Sequence, residues 1–96
     1  MIIQFTAEAE RDLDDIAHYI AADNPARAVS FLAELRARCH SLAAFPKRFP
    51  LVSRYARHGI RQCVHGNYRI FYRIEKQTIT VIHILHGAMD DENILS

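Results

Sequence analysis

The side chains best suited to chemistry lie in the second half of the chain: three arginines, Arg61, Arg69 and Arg73, and two histidines, His83 and His86. Apolar alternation around them marks strands, so Arg69 and Arg73 share one face with Phe71 between them, because side chains alternate sides along a strand. Guanidinium groups beside an aromatic ring bind RNA phosphates and stack on bases. They dock acidic protein surface equally well, and the pattern by itself leaves both open. His83 and His86 stand an odd number of positions apart and point to opposite faces of a continuous strand.

Other constellations fail on spacing. Six histidines invite a metal ion. Only Asp14 and His18 stand at i, i+4 on a helix, however, and no HExxH or CxxC motif adds ligands. Neither a metal nor a cofactor is therefore expected. The carboxylates Asp12, Asp14 and Asp15 read as a solvated face early in a helix, and Asp90, Asp91 and Glu92 as part of a polar tail. Cys63 and His65 share a strand face, yet no nucleophile elbow surrounds them. Cys39 and Cys63 are expected to be free, buried thiols in a reducing compartment. Gly59, Gly66 and Gly87 are the only glycines, so a phosphate-cradling loop has no material to form from.

The elements that must position these residues follow from periodicity. Ile2 to Phe5 is a short apolar strand. Thr6 is an N-cap residue, Glu8 and Glu10 favour the positive end of a helix dipole, and Leu13, Ile16, Ala17 and Ile20 make one apolar stripe. A first helix over 7–22 results. Asn24-Pro25 restarts the chain as cap and first helical residue. Ala28, Phe31, Leu32, Leu35, Cys39 and Leu42 give a second helix over 25–44, antiparallel to the first. Phe45-Pro46 to Phe49-Pro50 is a connector, because proline lacks a donor and restricts the residue before it.

The period then changes to two. Strands are expected over 59–64, 68–74 and 78–85, with turns at His65-Gly66-Asn67 and Glu75-Lys76-Gln77. The last strand is apolar on both sides, Ile79, Val81 and Leu85 against Ile82 and Ile84, as fits the interior of a sheet. The expected architecture is a single α+β domain over 1–96: a strand, an antiparallel helical hairpin and a three-stranded antiparallel meander, with the helices packed on one sheet face.

A net charge of +1 conceals a segregation. Residues 1–44 hold seven acids and four bases. Residues 45–74 hold seven bases, Lys47, Arg48, Arg54, Arg57, Arg61, Arg69 and Arg73, and no acid. Residues 75–96 hold four acids and one base. Seven cations in 30 residues suit an acidic partner. The opening residues turn acidic by Glu10, and no apolar run reaches the roughly 20 residues needed to cross a bilayer. A soluble cytoplasmic protein is expected, with no membrane contact.

The run Asn67-Tyr68-Arg69-Ile70-Phe71-Tyr72-Arg73-Ile74 and the strand Ile79-Thr80-Val81-Ile82-His83-Ile84-Leu85-His86-Gly87 resemble the closing strands of RelE/ParE toxins of type II toxin–antitoxin systems. The opening Thr6-Ala7-Glu8-Ala9-Glu10-Arg11-Asp12-Leu13 resembles the start of that family's first helix, and the order of elements agrees. The RelE branch cuts messenger RNA in the ribosome; the ParE branch is associated with poisoning DNA gyrase.

Carried over by position, Arg69 matches the arginine of the Tyr-Arg strand motif. The lysines of the RelE ribonucleases would fall near Ile60 and Gln62, and their later arginine near Gly87. No tyrosine follows Tyr72 to match their C-terminal one. The resemblance therefore implies a ParE-like gyrase inhibitor with no catalytic residues, its target-facing surface formed by Arg61, Arg69, Arg73 and the tail from His86. The alternative is a ribosome-dependent ribonuclease using Arg69, His83 and His86.

The resemblance also implies a ParD-like antitoxin, with DNA contacted only through the complex with it. An acidic antitoxin segment is expected over residues 45–74, including Arg54 and Arg57, and an apolar dock near Leu13, Phe31 or Leu35.

Overall fold

The computed structural model describes every residue except Asp90, Asn93 and Ser96. Strand β1 (Ile2–Phe5) leads into helix α1 (Ala7–Ala21) and helix α2 (Pro25–Ser41). A 3-10 helix (Ser53–His58) follows, then strands β2 (Ile60–His65), β3 (Tyr68–Glu75) and β4 (Thr78–His86). Both helix starts form as the capping residues dictate: Thr6 Oγ1 accepts from the amide of Ala9 and Asn24 Oδ1 from that of Arg27. Helix α2 ends three residues earlier than its periodicity suggests. The amides of Leu42, Ala43 and Ala44 bond to the carbonyls of Cys39, His40 and Ser41. This is the tighter i→i+3 pattern, which leads out of the helix ahead of Phe45-Pro46.

The meander is extended by β1, which joins parallel to β4 and makes a mixed sheet of order β1-β4-β3-β2. Strand β4 thus lies inside the sheet, as its two apolar faces require. The outer edge of β2 is covered by the connector, Val52 donating to Ile60 and Gln62 to Pro50 through their backbones. The 3-10 helix within this region has no periodic signature in the sequence.

The helices cover one sheet face. Leu13, Ile16, Leu35, Cys39 and Leu42 pack there against Ile70, Tyr72, Ile79, Val81 and Ile84. Leu13 and Leu35 have no exposed surface; each such side chain stabilises the fold by about 1.5–3 kcal/mol relative to exposure. They are core residues, which removes them from the expected dock. The far face carries a second cluster of Tyr55, Ile60, Phe71, Ile82, Leu85 and Ile94.

A register shift between Phe71 and Tyr72 places an extra residue, Ile82, in β4: Phe71 faces His83, whereas Tyr72 faces Val81. This bulge resets the alternation. Ile84 joins Ile79 and Val81 under the helices, and Leu85 joins Ile82 on the far face. Strict alternation places these two residues the other way round.

The tail is folded back as well as polar. Ile94 is buried in the far-face cluster, and the hydroxyl of Tyr55 lies 2.7 Å and 2.6 Å from the carbonyl oxygens of Asp91 and Glu92. Among the described residues no helix is long and apolar enough to cross a membrane.

Candidate functional site

The register settles which arginines share a face. Arg69 pairs with Val64 and Leu85, and Arg73 with Ile60 and Thr80. Since cross-strand partners project to the same side, Arg69, Phe71 and Arg73 stand together on the far face. Arg61 pairs with Tyr72, a residue of the helix-side core. It therefore points away from the other two, and its Nη1 donates to the carbonyls of Phe49 at 2.6 Å and Lys47 at 3.2 Å. Arg61 holds the connector in place and does not belong to one basic surface with Arg69 and Arg73.

Arg69 is the best-anchored cation on the far face. Its guanidinium lies over the Phe71 ring, 5.2 Å from the centroid. Nη2 donates to the Met89 carbonyl at 2.6 Å, and Nη1 lies 3.1 Å from Asp91 Oδ2. Its side chain is 19% exposed. The other oxygen of Asp91 meets Arg54 Nη1, also at 3.1 Å, so one carboxylate bridges two arginines. Arg73 pairs with Glu75 near the surface, and Arg57 is exposed on the 3-10 helix. The roles of Asp91 and Tyr55 are hidden in the sequence, where the carboxylates 90–92 read as part of a polar tail. The only hint was the separation of basic and acidic segments. Asp90, of the same acidic group, lies outside the described residues.

The histidines separate as their spacing requires. His83 faces Phe71 across the strands, and its Nδ1 lies 2.7 Å from Asp12 Oδ2. The same oxygen accepts the amide of Ile84 at 2.9 Å. Beyond Val81, β4 has no β1 residue beside it, and α1 takes over that edge. The Thr6 hydroxyl donates to the Ile82 carbonyl and Asp12 accepts from Ile84. His83, Glu8, Arg73 and Thr80 line one shallow cleft of about 230 Å³. His86 is on the helix side, its ring edge-on to Tyr68 at 5.4 Å, and its Nδ1 accepts from the amide of Ala88.

No nucleophile is prepared in this arrangement. Burial pushes the Cys39 thiol up to about 12 and raises that of Cys63 as well, so both stay protonated near neutrality. Both are free and buried. No group of three or more potential metal ligands occurs among the described residues. Of the residues expected to dock a partner, Phe31 is half-buried against the rings of His65 and Tyr68 with Arg27 above it. Arg54 and Arg57 are at the surface.

Comparison with known proteins agrees with this fold. A chromosomal ParDE toxin–antitoxin system from P. aeruginosa contains a chain of the same architecture. Its TM-score is 0.71 at 19% identity, over 90% of this chain and 95% of that one. The toxin–antitoxin complex RelBE2 from Mycobacterium tuberculosis contains another. There the TM-score is 0.66 at 28% identity, over 88% of this chain and 95% of that one. No curated protein matches the sequence. The family model described as the ParE toxin of the type II toxin–antitoxin system parDE matches residues 3–91, nearly the whole structure just described. This chain belongs to the ParE toxin family, within the ParE/RelE superfamily of type II toxins.

Proposed function

We propose that the protein arrests growth by binding DNA gyrase, breaks no bond itself, uses no cofactor, and is neutralised in the cytoplasm by a cognate ParD-like antitoxin. DNA is contacted only through the complex with that antitoxin. The observation that carries this reading is the dispersal of the residues a nuclease would have to assemble. Arg69 is tied to Asp91, His83 to Asp12, and His86 lies on the other side of the sheet. Cleavage of RNA develops extra negative charge at phosphorus, which needs several cations and a proton donor converging on one point. A binder needs only a shaped surface. Arg69 and Arg73 supply the charged rim of the target-facing surface in this reading, and Arg61 and His86 lie outside it.

The test is a supercoiling assay with purified gyrase, relaxed plasmid and ATP, using toxin freed of antitoxin. Inhibition with trapped cleaved DNA is the expected result. Normal supercoiling in excess toxin would overturn the proposal.

One observation favours a second reading, ribosome-dependent cleavage of messenger RNA. A carboxylate orients His83 in a cleft that Arg73 also lines, and this chain is similar to a RelBE2 component. Uncut messenger RNA in arrested cells, read by primer extension, ends that reading.

A further inference from the structure

A wide cleft lies away from the residues discussed so far. It measures about 840 Å³ and is bordered by the connector after α2, the β3–β4 turn and Met1. Its apolar part includes Phe45, Pro46 and Ile74, and its cations are Lys47, Arg48 and Lys76; no carboxylate lines it. Phe45 is 69% exposed, a large aromatic surface left in water. Like charges gathered without an intervening acid repel one another, and the repulsion is relieved when an anion arrives.

The connector is held from its inner side. Tyr72 donates to the Pro46 carbonyl at 2.7 Å, Arg61 to the carbonyls of Lys47 and Phe49, and the Arg48 amide to Phe45. The backbone is thereby fixed from beneath, while Phe45, Lys47 and Arg48 border the cleft, the Arg48 guanidinium lying 5.5 Å from the centroid of the Phe49 ring. On the opposite wall Lys76 sits at φ 56°, a left-handed conformation unusual for lysine, in the tight turn between two long strands. A rigid, cationic, partly apolar cleft loses little freedom when it is filled.

We propose that this cleft docks an acidic segment of the neutralising partner, with one large apolar side chain set against Phe45 and Ile74 and carboxylates against Lys47, Arg48 and Lys76. The proposal rests on the antitoxin reading above for the identity of the partner. Charge complementarity selects an acidic occupant, and the apolar floor selects a peptide with an anchoring side chain over a phosphate chain. Of the residues expected from the sequence to form the dock, Leu13 and Leu35 are wholly buried and Arg54 already meets Asp91, while Phe31 and Arg57 keep exposed surface.

The probe is a fluorescent peptide of about ten residues, aspartates and glutamates around a central Leu-Phe pair. Its binding to the full chain is followed by fluorescence polarisation, and its site is mapped by amide chemical shifts. The expected result is saturable binding with shifts centred on Phe45, Ile74 and Lys76. Binding should be weakened about tenfold or more by Lys47→Glu with Lys76→Glu, and again by Phe45→Ser, roughly 1.4 kcal/mol for each factor of ten. All three positions are at the surface, and an unchanged thermal melt confirms that the fold is intact. No binding, equal binding by the variants, shifts centred elsewhere, or tighter binding of a single-stranded thymidine oligomer overturns the proposal. The gyrase assay contains no acidic peptide and the peptide assay no gyrase, so failure here leaves the toxin reading standing, and failure there leaves the cleft result standing.

Discussion

At the scale of single residues, the chemistry of this protein is set by what each polar group meets. Tyr72 is wholly buried and donates to Pro46. Burial pushes its hydroxyl up to about 12, with the charge of Arg61 acting in the opposite direction. Cys39 rises to about 12 for the same reason. Both folded-state values lie above the unfolded ones of 10.0 and 9.0, so unfolding releases protons in the interval between. Stability carried by these groups is complete below about pH 9 and declines as pH rises towards 12. Urea melts across that range check the sign; a midpoint that rose with pH would contradict it. The thiols of Cys39 and Cys63 should resist Ellman's reagent at pH 8 in the native protein and react once guanidinium unfolds it. The sequence made the residue types plain, arginines beside an aromatic and thiols without a motif. It concealed their partners, because Asp12 meets His83 across 71 positions and no local pattern encodes such a pairing.

Among the elements, periodicity located both helices and all four strands within a few residues, since one stripe or one alternation identifies each. The features it missed are those that neighbours impose. The bulge at Ile82 arises where β4 passes from β1 to α1 as its edge partner, and it decides which of Ile84 and Leu85 faces the helices. Asp12 stands at that junction. Asp12→Ala leaves the Ile84 amide and His83 without their acceptor and should cost about 1–3 kcal/mol. Asp12→Asn keeps a carbonyl for the amide and should cost less. Equal losses in urea melts would show that the acceptor is immaterial. The tail gives a parallel case. Tyr55→Phe removes its hydroxyl bond to the 91–92 carbonyls and should cost about 0.5–1.5 kcal/mol, with faster carboxypeptidase trimming. Unchanged trimming would mean that Ile94 and the Arg54 and Arg69 contacts hold the tail without this hydroxyl.

In the whole molecule, the separation of charge along the chain is partly undone in space, because Asp91 from the acidic end sits between Arg54 and Arg69 of the basic stretch. The architecture and family were legible from the order of elements and the closing strands. The candidate surfaces were less so, since sequence order does not reveal which sides of a sheet are already filled. Leu35 shows the difference. Leu35→Ala should cost about 2–5 kcal/mol by opening a cavity under the sheet, a loss visible in a thermal melt of the isolated protein with no partner present.

The parallel pairing of β1 with β4 joins Ile2 to Thr78 and Phe5 to Val81, the opening of the chain to its closing strand. The helical hairpin and the antiparallel meander are built from contacts near in sequence, which form early, whereas this pairing closes a loop spanning most of the molecule and is slow by comparison. A ribosome making this domain releases β1 before the strand it pairs with in the described sheet. The nascent domain therefore holds β1 unpaired through the synthesis of both helices and two strands, and the sheet closes only once β4 has emerged.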